Sequence, residues 1–503
     1  MEPISKPQTW DNPDLYCSDL PTRPLSAPGK ILVTGASGYI GGRLVPELLA
    51  RGYQVRIMVR GAPQVYQKTW PETEVVVADA AKLKQLPPVL KDIDTAYYLI
   101  HSLRLGPHAF RKVDIKAAKA FRMAAEEAGV KRIVYLGGLG DIRNPLSLHL
   151  RSRIEIANEL KKGRVPLTVL RAAIIIGSGS ASYEIIQHLV QRLPIIFLPH
   201  WMKNRCQPIA IRDVIKYLVG ALEMPETTGK EFDIGGPDIL TYEQMLKTLA
   251  RILDKKVIFF STSFSYLRFY CYLVSLFTPV PHQITKCLME GLKNEVVVHD
   301  DAIRRLIPFE PLSYQEAIDR ALTWEKQDQV STRWSDAYPS AHALAPNLSE
   351  LKGKIAYQSR YSLLTFKNSA SLFQSICRIG GKEGWFHNNW MWRLRGMVDR
   401  MLLGVGSSRG RKRYSQLNIN DVIDFWRVED LIPNKRLLLR AEMKLPGKAW
   451  LEFQIEEERG GRRLSVIPYF DTQTLLGKMY WYIFLPFHHF IFKKLIVEID
   501  KRS

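Results

Sequence analysis

The chain has 503 residues, is 46% hydrophobic and 24% charged, and carries a net charge of +21. Its length excludes one small domain, its apolar content excludes a disordered chain, and two or three folded units are expected. The five cysteines are scattered with no CxxC pair, which argues against a disulfide framework or a zinc site, while the excess of cations favours anionic partners such as phosphorylated cofactors, acidic lipid headgroups or nucleic acid.

In chain order, residues 1–28 hold six prolines and no apolar leader core, and read as an N-terminal extension. From Lys30 strands and helices alternate. Strands are expected at Ile31–Val33, Gln54–Val59, Glu74–Val77, Ala96–Ile100, Arg132–Leu136 and Leu167–Leu170. Helices are expected at Tyr39–Arg51, Val113–Ala128 and Ile154–Lys162. This alternation predicts an α/β fold, a doubly wound parallel Rossmann sheet, over residues 29–325. Residues 326–349 read as a linker. Residues 350–503 read as an α+β unit, with strands at Tyr361–Phe366, Val422–Val428, Leu437–Met443, Ala449–Ile455 and Leu464–Pro468 before a long helix.

Two apolar stretches raise the question of a membrane. Ile258–Pro281 contains Arg268, and Leu475–Ile499 contains Lys478, Pro486, two histidines and Lys493-Lys494. Those residues argue against spanning, and both stretches are expected to lie on a membrane surface or to cover an apolar cavity.

The string Val33-Thr34-Gly35-Ala36-Ser37-Gly38-Tyr39-Ile40-Gly41 follows a strand and opens a helix. Glycines at 35, 38 and 41 allow a tight turn, a close backbone approach to a pyrophosphate, and close helix–strand packing. The helix N-terminus then offers unpaired N–H groups to phosphate. A glycine-rich turn in another α/β fold is the plain alternative. At the end of the second strand an NAD site usually places an acid, whereas this chain has Arg60, suited to a 2′-phosphate. NADP(H) is therefore preferred over NAD(H), unless Arg60 is only a solvated charge. Arg56, further back in the same strand, is the weaker candidate. Asp79 is placed to meet an adenine edge or to cap the next helix.

These residues resemble the extended and atypical short-chain dehydrogenases/reductases, including the NmrA-like group. The resemblance continues through Tyr97-Tyr98-Leu99-Ile100-His101-Ser102, Arg132–Gly138, Val169-Leu170-Arg171, Gln207–Val214, and Phe232–Pro237 with Leu240-Thr241-Tyr242. It implies a cofactor site of Gly35, Ser37, Gly38, Tyr39, Ile40, Gly41, Arg60, Asp79, Ile100 and His101, with the later strings around nicotinamide and substrate. Family catalysis uses a tyrosine and a lysine four residues apart, with a serine on the preceding strand. Here Gly137-Gly138 ends that strand, and the pair falls at His149 and Arg153. Two readings follow: His149 is the acid/base with Arg153 on the ribose, or the chemistry is lost and the nucleotide is a structural or sensing ligand. A bland surface histidine is the third.

The C-terminal part is similar to a bacterial domain of unknown function (DUF2867-type) often fused to such reductases. The resemblance rests on Gly380–Trp385, Trp392–Gly396, Asp424–Glu429, Glu442–Trp450 and Tyr480-Trp481-Tyr482. Its element order looks like a START/Bet v1-type helix-grip fold, which implies a lipophilic ligand. Trp385, Trp390, Trp392, Trp426, Trp450 and Trp481 line a cavity or form plain core. The run Arg409–Arg413 holds phosphate or is a solvated loop. Together these readings give a cytoplasmic NAD(P)H-dependent oxidoreductase acting on a hydrophobic carbonyl, quinone, isoprenoid or lipid, with peripheral contact at the inner membrane face. The alternative is a non-catalytic NADP(H)-binding sensor or an assembly factor for a membrane complex. Neither a metal site nor nucleic-acid binding is expected.

Overall fold

The structure is a computed structural model. It describes residues 15–27, 29–61, 63–101, 107–140, 146–336, 348, 357–381, 383–386, 389–406, 411 and 417–503. Half of the 326–349 segment, Ser102 and the run Arg409–Arg413 apart from Arg411 lie outside the described residues.

The chain runs β1 (Lys30–Thr34), α1 (Gly41–Ala50), β2 (Gln54–Val59), α2 (Pro63–Thr69), β3 (Glu74–Val77) and α3 (Pro87–Leu90). It continues with β4 (Ile93–Tyr98), α4 (Pro107–Glu127), β5 (Arg132–Gly138), α5 (Leu148–Lys161), β6 (Leu167–Ala172) and β7 (Ile175–Ile176). Next come α6 (Ala181–Arg192), β8 (Ile195–Pro199), β9 (Arg205–Cys206), β10 (Ile209–Ala210), α7 (Ile211–Glu223), β11 (Glu231–Ile234) and β12 (Leu240–Thr241). Then follow α8 (Tyr242–Ile252), β13 (Ile258–Thr262), α9 (Leu267–Phe277), α10 (His282–Gly291), α11 (Ala302–Leu306) and α12 (Tyr314–Lys326). The C-terminal part contains β14 (Tyr357–Gln358), β15 (Tyr361–Thr365), α13 (Ser369–Cys377), α14 (Asn389–Met401), β16 (Val422–Ile423) and β17 (Trp426–Ile432). It closes with β18 (Arg436–Ala441), β19 (Lys448–Glu458), β20 (Gly461–Asp471) and α15 (Leu475–Lys501).

Chain contacts divide the molecule into two compact units, Met1–Cys271 with Gln283–Tyr338, and Tyr272–His282 with Pro339–Ser503. The first is built on a parallel seven-stranded sheet in the order β11-β6-β5-β4-β1-β2-β3. The strands are buried on both faces, which explains their continuous apolar runs: Ile31, Val33 and Ile57 face one core cluster, and Leu32, Met58 and Ala96 face the other. Strand order reverses between β1 and β4, and in such sheets ligands bind beyond the strand ends at that reversal. α1 seals one face with Leu44, Val45 and Leu48, each fully buried and each contributing about 2 kcal/mol of apolar burial.

Boundaries at β2 and β3 are those expected from the sequence. α5 instead begins at Leu148, because the Ser147 hydroxyl caps it by accepting from the Leu150 N–H at 3.3 Å. His149 and Arg153 are thereby helical. β4 ends at Tyr98, so Ile100 and His101 lie in the turn beyond it. The apolar stretch Ile258–Pro281 is broken into β13, hydrogen-bonded in parallel to β8, and α9.

Within residues 1–28, the described stretch carries no regular element and is held by polar bonds to buried partners. Glu47 accepts from the Tyr16 and Cys17 N–H groups at 2.6 and 3.1 Å. Arg51 pairs with Glu223 at 2.6 Å and donates to the Cys17 and Thr22 carbonyls. Within the 326–349 segment, Arg43 donates to the Thr332 carbonyl and the Ser178 carbonyl, and Arg333 pairs with Glu184.

The second unit is an antiparallel sheet in the order β14-β20-β19-β18-β17-β16, with β15 also on β20 and α15 packed against β15 and β20. Its core holds Trp385 stacked on Trp392 at 4.4 Å, with Trp426 beside both. Trp385 and Trp450 donate their indole N–H groups to Asp424 and Glu429, which satisfies them inside. Trp390 is exposed. Arg411 is buried, with Nη1 donating to the Cys377 and Ile379 carbonyls, so this member of the basic run fastens backbone.

Candidate functional site

The site begins where β1 meets α1. The Thr34 hydroxyl donates to the Tyr97 carbonyl at 2.9 Å and accepts from the Leu99 N–H at 3.1 Å, which ties the ends of β1 and β4 together. Gly35 turns with φ +67°, and a Cβ there would stand 2.7 Å from the Leu99 carbonyl oxygen. A Cβ on Gly41 would stand 2.4 Å from the Gly35 oxygen. Neither position admits a side chain. Gly38 differs, because a Cβ there would meet only the Gly35 oxygen, at 3.1 Å, and would otherwise fill open space.

α1 is capped by Ile40 with no side-chain cap bond. The Tyr39 and Ile40 N–H groups have no partner among the described residues. Ser37 is half-buried in the same turn. Unpaired donors, the positive helix end and the open side of Gly38 together fit a diphosphate.

The other expected cofactor residues are placed as follows. Arg60 is exposed just beyond β2. Arg56 is buried, pairs with Glu74 at 2.9 Å and donates to the Val89 and Lys91 carbonyls, a fastening role. Asp79 caps its own turn, with Oδ1 accepting from the Ala81 N–H at 3.0 Å.

A second cluster gathers beyond β4 and β5. The His101 Nδ1 lies 3.1 Å from the Asp114 carboxylate, which is 1% exposed. The His101 ring is 5.1 Å from the His149 ring. One turn along α5, the Arg153 guanidinium sits 4.9 Å from the Tyr135 ring centre and donates to the Leu136 carbonyl. Arg153 Nη1 is buried with no hydrogen-bond partner among the described residues. The structure thus brings His101, His149 and Arg153 together, and adds Asp114.

Burial pushes the His149 imidazole well below its ordinary pKa, and the neighbouring His101 and Arg153 add to the shift. Burial and then Arg153 lower His101, while the Asp114 carboxylate pulls the other way. Both rings are held toward the neutral form. A neutral imidazole beside a permanent guanidinium polarises a carbonyl oxygen better than it gives up a proton.

At the end of β5, a Cβ on Gly137 would find only ordinary contacts, the nearest at 3.4 Å, so the turn has room for the serine that is absent. The strings Gln207–Val214 and Phe232–Pro237 are tied to each other: the Gln207 amide donates to the Gly236 carbonyl at 2.7 Å and accepts from the Val298 N–H at 3.0 Å.

Asp114 escaped the sequence reading. Its signal was position: with Ala117, Ala118 and Phe121 it occupies the buried stripe of α4, where an unexplained carboxylate calls for a partner.

This fold and turn define a Rossmann protein of the short-chain dehydrogenase/reductase type. The chain belongs to the NmrA-like family, which matches residues 28–324. Residues 351–495 match a second family, described as a protein of unknown function (DUF2867). Among curated relatives, the photosystem II assembly factor Ycf39 of Trieres chinensis is 27% identical over 209 residues, 41% of this chain and 63% of that protein. The chloroplastic divinyl chlorophyllide a 8-vinyl-reductase of Cucumis sativus is 23% identical over 257 residues, 48% of this chain and 60% of that protein. The alignments thus span 63% and 60% of those relatives' own lengths. A solved nucleoside-diphosphate-sugar epimerase of Staphylococcus aureus is 17% identical with a TM-score of 0.49, covering 58% of this chain and 99% of that one.

Proposed function

We propose that the first unit binds NADP(H) and reduces a hydrophobic carbonyl or enone compound, such as a quinone, isoprenoid or lipid. The observation that carries this reading is the pairing of an open, donor-lined glycine turn with the His101–His149–Arg153 cluster at the same end of the sheet. The bound dinucleotide would supply a hydride. The Tyr39 and Ile40 N–H groups and the N-terminus of α1 would hold its diphosphate, and Arg60 would pair with a 2′-phosphate. Asp114 sets the His101 ring by taking the hydrogen bond from Nδ1, which leaves Nε2 as the other face. His149 would donate a hydrogen bond to the substrate oxygen. Arg153 Nη1 would stabilise the negative charge that develops there, a role suited to a cation that keeps its proton, until a proton from water completes the new O–H bond (or, for an enone, the C–H bond at the α-carbon). The relative named as a vinyl reductase supports reduction.

A second reading is a nucleotide-binding sensor or assembly factor without turnover. It is favoured by Gly137 in place of a serine, by the depressed His149, and by the relative named as an assembly factor. A helix-grip arrangement with a lipophilic ligand in the second unit belongs to the first reading, as the means of presenting substrate.

The deciding experiment titrates the full chain with NADPH and NADH by tryptophan fluorescence, then follows NADPH oxidation with quinones and lipid carbonyls. Tight NADPH binding with substrate-dependent oxidation that is lost in His149→Phe supports the reductase. Binding without oxidation across the panel supports the sensor. Failure to bind either nucleotide sinks both.

A further inference from the structure

The helix α15 shows two unlike faces. Its inner face buries Gly477, Trp481, Phe492, Leu495, Ile496 and Ile499 against the second unit's sheet and core. Its outer face presents Leu475, Leu476, Met479, Tyr482, Ile483 and Phe487, each 50% to 74% exposed. Spacings of three and four put these on one stripe, which reaches Phe490 about 22 Å along the axis. So large a contiguous apolar stripe facing water marks a contact surface.

Charge indicates what covers it. From Leu475 to Val497 the helix has no acid, and its exposed charges are Lys478, Lys493 and Lys494. Lys493 and Lys494 stand where the apolar stripe ends, with the Lys494 ammonium 4.1 Å from the Phe490 ring centre. A second copy laid antiparallel on this face would set these lysines opposite its acid-free Leu475–Tyr482 end, and the nearest carboxylate on the helix, Glu498, is already held by Lys501 and Arg502. Acidic lipid headgroups would receive them, and their stems would run along the apolar stripe with the ammonium groups in the phosphate layer.

The helix is also unsuited to crossing a bilayer. Among the described residues no helix is long and apolar enough to do so. Pro486 stands inside α15, so the Tyr482 carbonyl lacks its helical donor. That carbonyl is costly in hydrocarbon and readily hydrated at the headgroup level. α14 repeats the pattern, with Trp390, Leu394, Met397 and Met401 exposed, Arg393 exposed beside them, and its one acid, Asp399, buried.

We propose that the exposed stripe of α15 is a docking surface for a bilayer rich in anionic lipid, lying in the headgroup interface with Lys493 and Lys494 on lipid phosphates. This proposal stands apart from the nucleotide reading.

The test is cosedimentation of the full chain with vesicles of phosphatidylcholine alone or mixed with phosphatidylglycerol. Binding is expected only to the anionic vesicles, weakening as salt rises. The double substitution Lys493→Gln, Lys494→Gln should weaken it about thirtyfold. Ile483→Ser with Phe487→Ser should weaken it about tenfold or more. All four side chains are exposed, so the variants should keep the native thermal transition. Absence of binding to anionic vesicles overturns the proposal, as does binding that neither variant alters. A stable dimer that the Ile483→Ser, Phe487→Ser variant dissolves, with no vesicle binding, assigns the stripe to a second copy instead.

Discussion

The imidazole of His101, held by a buried carboxylate, stands 5.1 Å ring to ring from that of His149, although the two residues come from a β4 turn and from α5. Neither ring needs to be protonated near neutrality, and Arg153 supplies the permanent positive charge beside them.

Replacing His149 by phenylalanine keeps the ring volume and removes the hydrogen-bond donor. Turnover with the best carbonyl substrate should fall about a hundredfold, while NADPH affinity measured by fluorescence changes little. An equal loss of affinity would assign His149 to cofactor binding instead.

The depressed His149 pKa also has a stability consequence. The unfolded chain protonates His149 near pH 6.5, whereas the folded chain resists until lower pH. The fold therefore loses stability as pH falls below about 6.5, toward the depressed folded value. His149→Gln should lessen the drop in thermal midpoint between neutral and mildly acidic buffer. Identical pH profiles for variant and parent would show that this ring does not titrate in that window.

The glycine turn separates folding from binding. Gly41→Ala puts a methyl 2.4 Å from the Gly35 carbonyl oxygen and should cost on the order of 2 to 3 kcal/mol in denaturant titration. Gly38→Ala should cost less than Gly41→Ala, because its methyl meets a single atom, the Gly35 oxygen at 3.1 Å, yet weaken dinucleotide binding markedly, because that methyl would lie on the phosphate side of the turn.

Arg60→Glu sets an acid where a 2′-phosphate would lie. The ratio of NADPH to NADH affinity should drop by about tenfold or more. An unchanged ratio would mean that Arg60 is a surface charge and that cofactor choice lies elsewhere.

Glu223 is a buried anion that receives Arg51, Tyr53 and Thr22. Its replacement by alanine strands the Arg51 guanidinium and should destabilise the first unit by about 3 to 5 kcal/mol. Limited proteolysis should then cut in the stretch around Thr22 before the sheet unfolds.

Much of the first unit was legible in the sequence, because its signals are local. Buried parallel strands read as short apolar runs, and the Gly35–Gly41 string stands between an expected strand and an expected helix, the context that a dinucleotide turn requires. The start of α5 was less legible, since a single serine cap at Ser147 outweighs the weak apolar period of His149–Arg153.

What the sequence by itself determined is therefore the alternation, the glycine turn and the family to which the chain belongs, all encoded over a few neighbouring residues. What only the tertiary structure decided is the company those residues keep. Asp114 meets His101, and His101 meets His149, because the sheet order sets β4 beside β5, and the N-terminal stretch closes on Glu47 and Glu223 because α1 and α7 face it. Hydrophobic period shows that a helix has an apolar face, but burial is settled by what packs against it. That is why α15, apolar nearly all round in sequence, proved to have one face in the core and one in water.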